Sequence, residues 1–325
     1  MNYKNIFFFI VFFIHFNILN AIEIEQGLEK KKIAYIVSDI KIPFWKIMSL
    51  GIQNTAQTFN FEVEVYSSNN DKKREIQNTV QAIKDKVDAI ILSPINSSSA
   101  VTILKFAKSA KIPVVISDIG ADKGEYLSFI SSNNEEGAYN IAQILTQKMH
   151  KLGWDKNGSI GIVAIPQKRA NGKARTVGFI KGVKESGIKI SGLKQQVDFS
   201  YEETYNFSKE LIEESKNLKA IWLQGSNRYK AALDAIKDTR GENEILLIVF
   251  DAEPEFLELI PKGVILGAAM QQPYLFGQKA VSLLNDFFNH KDVTKNLQLS
   301  ILAISTDNIQ TNIPLIKRNV LGIFK

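Results

Sequence analysis

The residues able to do chemistry in this chain are few, and they stand at the ends of apolar runs. Asp39 closes the run from Ile33 to Ser38 and is followed closely by Phe44 and Trp45. Asp118 closes Val114 to Ser117, Asp251 closes Leu247 to Phe250, Arg175 opens a helical stretch after Gly172, and Gln271 follows Gly267 to Met270. Carboxylates, a permanently charged planar donor and an amide satisfy vicinal hydroxyl pairs without leaving a buried donor unpaired. The flat faces of Phe44 and Trp45 suit the C–H side of a sugar ring. Each residue alone has a simpler role: an Asp after a strand often caps the next helix, and Trp45 falls on the buried stripe of its helix, which leaves Phe44 as the better stacker. Their shared position points to a ligand, because open α/β sheets bind ligands just beyond the carboxyl ends of their strands.

The same residues do not assemble a catalyst. There are three histidines and no cysteine. His15 lies in an N-terminal leader, His150 at a helix end and His290 in the turn Asn289-His290-Lys291, all positions of solvated imidazoles rather than bases or ligands. No G-x-G-x-x-G follows the first strand, and there is no Gly-Lys-Ser/Thr loop to cradle a phosphate. The stretch from Asp155 to Ser159 has alternating oxygen side chains but is too short for a calcium loop and lacks the closing Glu. The expectation is a non-enzyme with no cofactor and no metal.

These residues must be positioned by strands and helices in regular alternation. Strands are expected at 33–39, 61–65, 87–92, 113–116 and 126–131, with helices at 43–59, 74–86 and 98–110 between them. The pattern then restarts with helix 135–152, strand 159–165, helix 174–185, strand 193–199, helix 203–214, strand 220–224, helix 228–238 and strand 245–251. Segments 265–270, 275–288 and 299–304 complete it. Such alternation means right-handed crossovers and parallel sheets. There are too many strands for one sheet, so the expected fold class is α/β, with two similar doubly wound lobes joined by a multi-strand hinge. One lobe takes residues 31–133 and about 272–298, the other 134–271 and about 299–325.

The chain has 325 residues, enough for two such cores. Lys4, the apolar run Ile6 to Ile14 and Ala21 make residues 1–21 read as a cleavable secretory signal, interrupted by His15 and Asn17 before it could span a bilayer. The formal charge of +6 is spread over helical faces among acidic residues, so no nucleic-acid partner is expected. The run Lys168, Arg169 and Lys173 near Arg175 reads as a solvent-facing loop with some leaning towards an anionic ligand.

The chain resembles the ribose/galactose type of periplasmic sugar-binding protein, whose fold is shared by the ligand domain of lactose-repressor-like regulators. The resemblance rests on Val37-Ser38-Asp39 with Pro43-Phe44-Trp45, Ile112-Pro113-Val114-Val115 with Asp118, and Ser131-Ser132-Asn133 with Gly137. It continues in Ala174-Arg175-Thr176 with Gly178-Phe179, in Val249-Phe250-Asp251, and in Gln271 ahead of Gly277. It implies two lobes of the type I fold, three crossing strands, and a ligand gripped by Ser38, Phe44, Trp45, Asp118, Arg175, Asp251 and Gln271. The chain departs from that pattern at Ile42, Ser93, Ile119 and Gly225-Ser226, with Asn227 the nearest amide to stand in. Lost partners leave a pentose's hydroxyls unpaired at about 1–3 kcal/mol each, which argues against ribose. The resemblance implies a monomeric periplasmic receptor that delivers a sugar-like molecule to a membrane ABC permease. The alternative is a sensor of the same fold that reports occupancy to a histidine kinase or chemoreceptor. A DNA-binding regulator would need a helical module ahead of Lys31, where the signal stands.

Overall fold

The computed structural model describes residues 30–242 and 244–324, so the expected signal at 1–21 lies outside the described residues. In the first strand, β1 (Lys32–Val37), Ile33, Tyr35 and Val37 pack to one side and Ala34 and Ile36 to the other, all buried. Period two in the side chains with both faces covered is the mark of a parallel sheet between helical layers. The chain continues through α1 (Pro43–Thr58), β2 (Glu62–Ser67), α2 (Lys72–Lys84), β3 (Ala89–Ser93), α3 (Ser97–Ser109), β4 (Val114–Ser117) and β5 (Ser128–Ser132). It crosses into α4 (Asn134–Lys151), β6 (Ser159–Ala164), α5 (Ala170–Glu185), β7 (Lys189–Gln195), α6 (Tyr201–Glu214), β8 (Leu218–Leu223) and α7 (Tyr229–Arg240). After these come β9 (Leu246–Phe250), α8 (Phe256–Leu259), β10 (Gly267–Met270), α9 (Pro273–Phe288), β11 (Asn296–Leu299), β12 (Leu302–Ser305), α10 (Ile309–Leu315) and a single π-helical turn at Ile316–Val320.

Two six-stranded sheets result, in the orders β11-β5-β4-β3-β1-β2 and β12-β10-β9-β8-β6-β7. The first is parallel throughout, and in the second only β12 runs antiparallel, against β10. The chain passes between sheets three times, after β5, after β10 and after β11. Helix α9, which follows a strand of the second sheet, packs with α1 on the first through Phe276, Ala280 and Leu284. Helix α4, which follows a strand of the first, packs with α5 on the second through Ala138, Ile141 and Leu145. Both helix pairs approach so closely that a Cβ on Gly51 would run into the Tyr274 carbonyl oxygen and one on Gly178 into that of Glu135.

Three expected elements are corrected. The strand expected at 193–199 lies at Lys189–Gln195, because Glu203 gathers the amides of Val197, Asp198 and Phe199 and turns that stretch into the approach to α6. The segment expected at 299–304 is two strands in different sheets, separated at Ser300, whose carbonyl accepts from Gln272 Nε2 at 2.9 Å. Helix α5 begins at Ala170 rather than Ala174, one turn earlier, which brings Asn171 into the helix.

Candidate ligand-binding cleft

The strand ends of both sheets face each other across one cleft. At the end of β4, Asp118 adopts a left-handed backbone (φ 71°) and its amide donates to the Ile130 carbonyl on β5. At the end of β9, Asp251 does the same (φ 69°), donating to Ala269 on β10. A non-glycine residue with positive φ is uncommon outside Asn and Asp, whose short polar side chains tolerate it. Both carboxylates are thereby turned out of their strands into the space between the sheets.

The second lobe holds its polar groups rigidly. Arg175, only 3% exposed, lies over the Phe250 ring with its guanidinium 3.8 Å from the centroid. Its Nη1 donates to the Gln224 carbonyl at 2.8 Å and to Asp251 Oδ2 at 3.4 Å, and its Nε to Asn134 Oδ1 at 2.9 Å. Gln271 Nε2 donates to Asp251 Oδ1 at 2.7 Å, which leaves Gln271 Oε1 buried without a partner. The Gln224 side chain braces the frame, accepting from the Ile165 amide and donating to Thr176 Oγ1.

The first lobe offers a looser carboxylate. Asp118 Oδ2 accepts from Asn171 Nδ2, reaching across from the other lobe at 3.2 Å, and Asp118 Oδ1 has no partner. Burial pushes its carboxyl up to about 6, opposed by the charges of Arg175 and Arg169 and by the Asn171 bond. Arg169 also spans the cleft, donating from Nε to the Ile95 carbonyl at 3.2 Å, with its guanidinium 5.2 Å from the Phe199 ring. Burial draws it down to about 10, so it stays cationic at neutral pH. Beside the cleft, burial also raises Glu253 to about 7, against a Ser226 Oγ bond of 2.8 Å.

A cavity of about 60 Å³ lies among these groups. Phe44, Trp45, Asp118, Arg175, Asn227, Asp251 and Gln271, all expected from sequence, line it together. Phe44 and Trp45 meet edge to face at 4.9 Å, and both reach the cavity although Trp45 is also part of the core. The two other expected residues stand apart. Ser38 is fully buried behind the wall with its hydroxyl unpartnered, and Asp39 turns to the Lys41 amide and the Asn70 side chain. Among the departures, Ile42 and Gly225 line the cavity, while Ile119 is core and Ser93 bonds Tyr35 and Met48. Of the basic run, Arg169 lines the cavity while Lys168 and Lys173 are exposed.

Asn171, Phe199, Gln224 and Ile165 are lining residues that the sequence reading missed. Phe199 ends the expected strand 193–199, the same signal that singles out the aspartates, but β7 stops at Gln195 and Phe199 lies in the loop before α6. Asn171 lies ahead of the expected helix 174–185 and inside the observed one.

Two lobes of this topology, with polar strand ends converging on a shared cleft, define a two-lobed solute-binding fold. The chain belongs to the periplasmic binding protein domain family, whose model matches residues 33–292. This is a family of solute-binding proteins that are not enzymes. The ribose import binding protein RbsB of Bacillus subtilis (strain 168) is 24% identical over 261 residues, covering 80% of this chain and 83% of that protein. RbsB of Escherichia coli (strain K12) is 25% identical over 263 residues, covering 81% and 86%. Among solved structures, a carbohydrate transporter solute-binding protein from Agrobacterium radiobacter in complex with D-arabinose superposes with a TM-score of 0.82 at 20% identity, over 90% of this chain and all of that one.

Proposed function

We propose that this chain captures a sugar or sugar-like molecule between its lobes and presents it to a membrane ABC permease. It works in the periplasm as a monomer, after removal of residues 1–21 as a signal peptide. The observation that carries this reading is the cluster of buried Asp118, Arg175 and Gln271 with half-buried Asp251, gathered between the lobes beside Phe44, Trp45 and Phe199. Two acceptor oxygens in it, on Asp118 and Gln271, have no partner, and hydroxyl donors of a sugar would supply them. The aromatic side chains cover the ring's C–H side. The names of the relatives, ribose import proteins and an arabinose-bound transporter component, agree with that chemistry.

Delivery follows from closure. A ligand that bonds groups of both lobes favours the closed arrangement by its differential affinity for it, and closure fixes the spacing of the two outer surfaces that a permease reads. Thermal unfolding against a panel of pentoses, hexoses, polyols, sugar acids and amine oxides tests this. A true ligand at a hundred times its dissociation constant adds about 2.7 kcal/mol of stability. A shift with a sugar supports the importer; a response only to a molecule of another class favours the sensory alternative.

A further inference from the structure

We propose that the ligand is a two-unit sugar, a disaccharide or glycoside, whose first ring sits at Arg175 and whose second unit lies in a separate chamber beyond Asp118. The proposal rests on the sugar-binding reading and sharpens it. The cavity at Arg175 is narrow, about 60 Å³. Next to it lies a more open chamber of about 450 Å³.

Asp118 and Asn171 line both spaces, and the hydrogen bond between them, at 3.2 Å, is the partition. A sugar hydroxyl that takes over either end of this bond removes the partition. The two spaces then become one, and a ligand that enters the first has a path into the second.

The chamber is built for a hydroxylated ring rather than for water alone. Its walls carry an aromatic pair, Tyr126 and Phe129, packed edge to face at 6.4 Å. Beside them stand Asn133, in the crossing after β5, and Gln298 of β11. Two wall residues, Ser97 and Ser132, are more than nine-tenths buried and have hydroxyls with no hydrogen-bond partner. An unpartnered buried hydroxyl is a standing penalty, and a serine side chain changes among three staggered rotamers to meet an incoming group. With the free oxygen of Asp118, three unsatisfied polar atoms thus border the chamber.

Titration calorimetry of the purified protein tests this with D-ribose, D-arabinose, D-allose, D-galactose and D-glucose set against disaccharides and phenyl glycosides of the same sugars. At least one two-unit compound is expected to bind about tenfold tighter than its own monosaccharide. Tyr126→Ala, which removes one ring of the aromatic pair, and Ala121→Trp, which fills the chamber, should each erase that advantage and leave monosaccharide affinity within about twofold. A monosaccharide that binds as tightly as every extended derivative, or variants that weaken both classes equally, overturns the chamber while leaving the sugar receptor intact. No binding by any sugar overturns both.

Discussion

Asp118 and Asp251 occupy equivalent places in the two lobes, yet they are held by different partners. Both end the fourth strand of their sheet's βαβ run, both hold φ near 70°, and both donate their amide to the neighbouring strand. Asp251 is locked by Arg175 on one oxygen and Gln271 on the other. Asp118 has one neutral partner, supplied by the other lobe, and burial raises it to about 6. The backbone solution was repeated and the surroundings were not. One lobe therefore presents a finished docking surface, and the other keeps a carboxylate whose needs are met only when the lobes close or a ligand arrives.

Breaking the finished side should have the largest effect. Arg175→Ala leaves Asp251, the Gln224 carbonyl and Asn134 without their shared donor, so a stability loss of about 3–5 kcal/mol and loss of sugar binding are expected by denaturant melts and calorimetry. Wild-type affinity in that variant would sink the comparison. Asp251→Asn should be milder, about 1–3 kcal/mol destabilising at pH 7, because Gln271 and Arg175 lose a charged acceptor but keep a polar one.

Asp118→Asn should have the opposite sign on stability. It removes a charge that the fold disfavours while retaining an acceptor for Asn171, so the apo protein at pH 7 is expected to gain on the order of 1–3 kcal/mol even as ligand affinity falls. A variant that melts earlier than wild type would show that Asp118 is as firmly supported as Asp251.

The pH profile sharpens the same point. Asp118 moves from 3.8 to about 6 on folding and Glu253 from 4.5 to about 7. The folded state therefore holds more protons than the unfolded chain in that window, so the stability contributed by these groups is complete at acid pH and lost as pH rises through 6 to 7. Thermal melts between pH 4 and 7 should show this decline, and Asp118→Asn should make its lower half shallower; an unchanged slope would remove Asp118 as the cause. The smallest effect belongs to Asn171→Ala, which deletes one interlobe bond worth about 0.5–1.5 kcal/mol. Small-angle scattering should then show a larger fraction of open molecules and unchanged unfolding of each lobe.

Much of the architecture was legible in the residues. Ile33 to Val37 and Val114 to Ser117 could only be buried strands, and Trp45, Met48, Ile52 and Ala56 mark the inner stripe of α1. Where local pattern was weak, reading slipped. The edge strand β7 alternates half-buried and exposed positions with little apolar contrast, so its limits came from Glu203 clamping the next loop, a contact the spacing of types does not reveal. Leu299 to Ile304 reads as one apolar run, and only the demands of two sheets split it at Ser300.

That this is an α/β chain with charged and aromatic residues at its strand ends follows from the residues alone, because burial period and strand-terminal residue type are local properties. Which of those residues share a cavity is settled by folding in three dimensions. Packing of the two lobes separates Ser38 and Asp39 from the others, brings in Asn171, Phe199 and Arg169, and makes Asp118 differ from Asp251. Convergence and desolvation depend on where the second sheet stands relative to the first, and that is fixed by crossings and helix contacts between residues far apart in the chain.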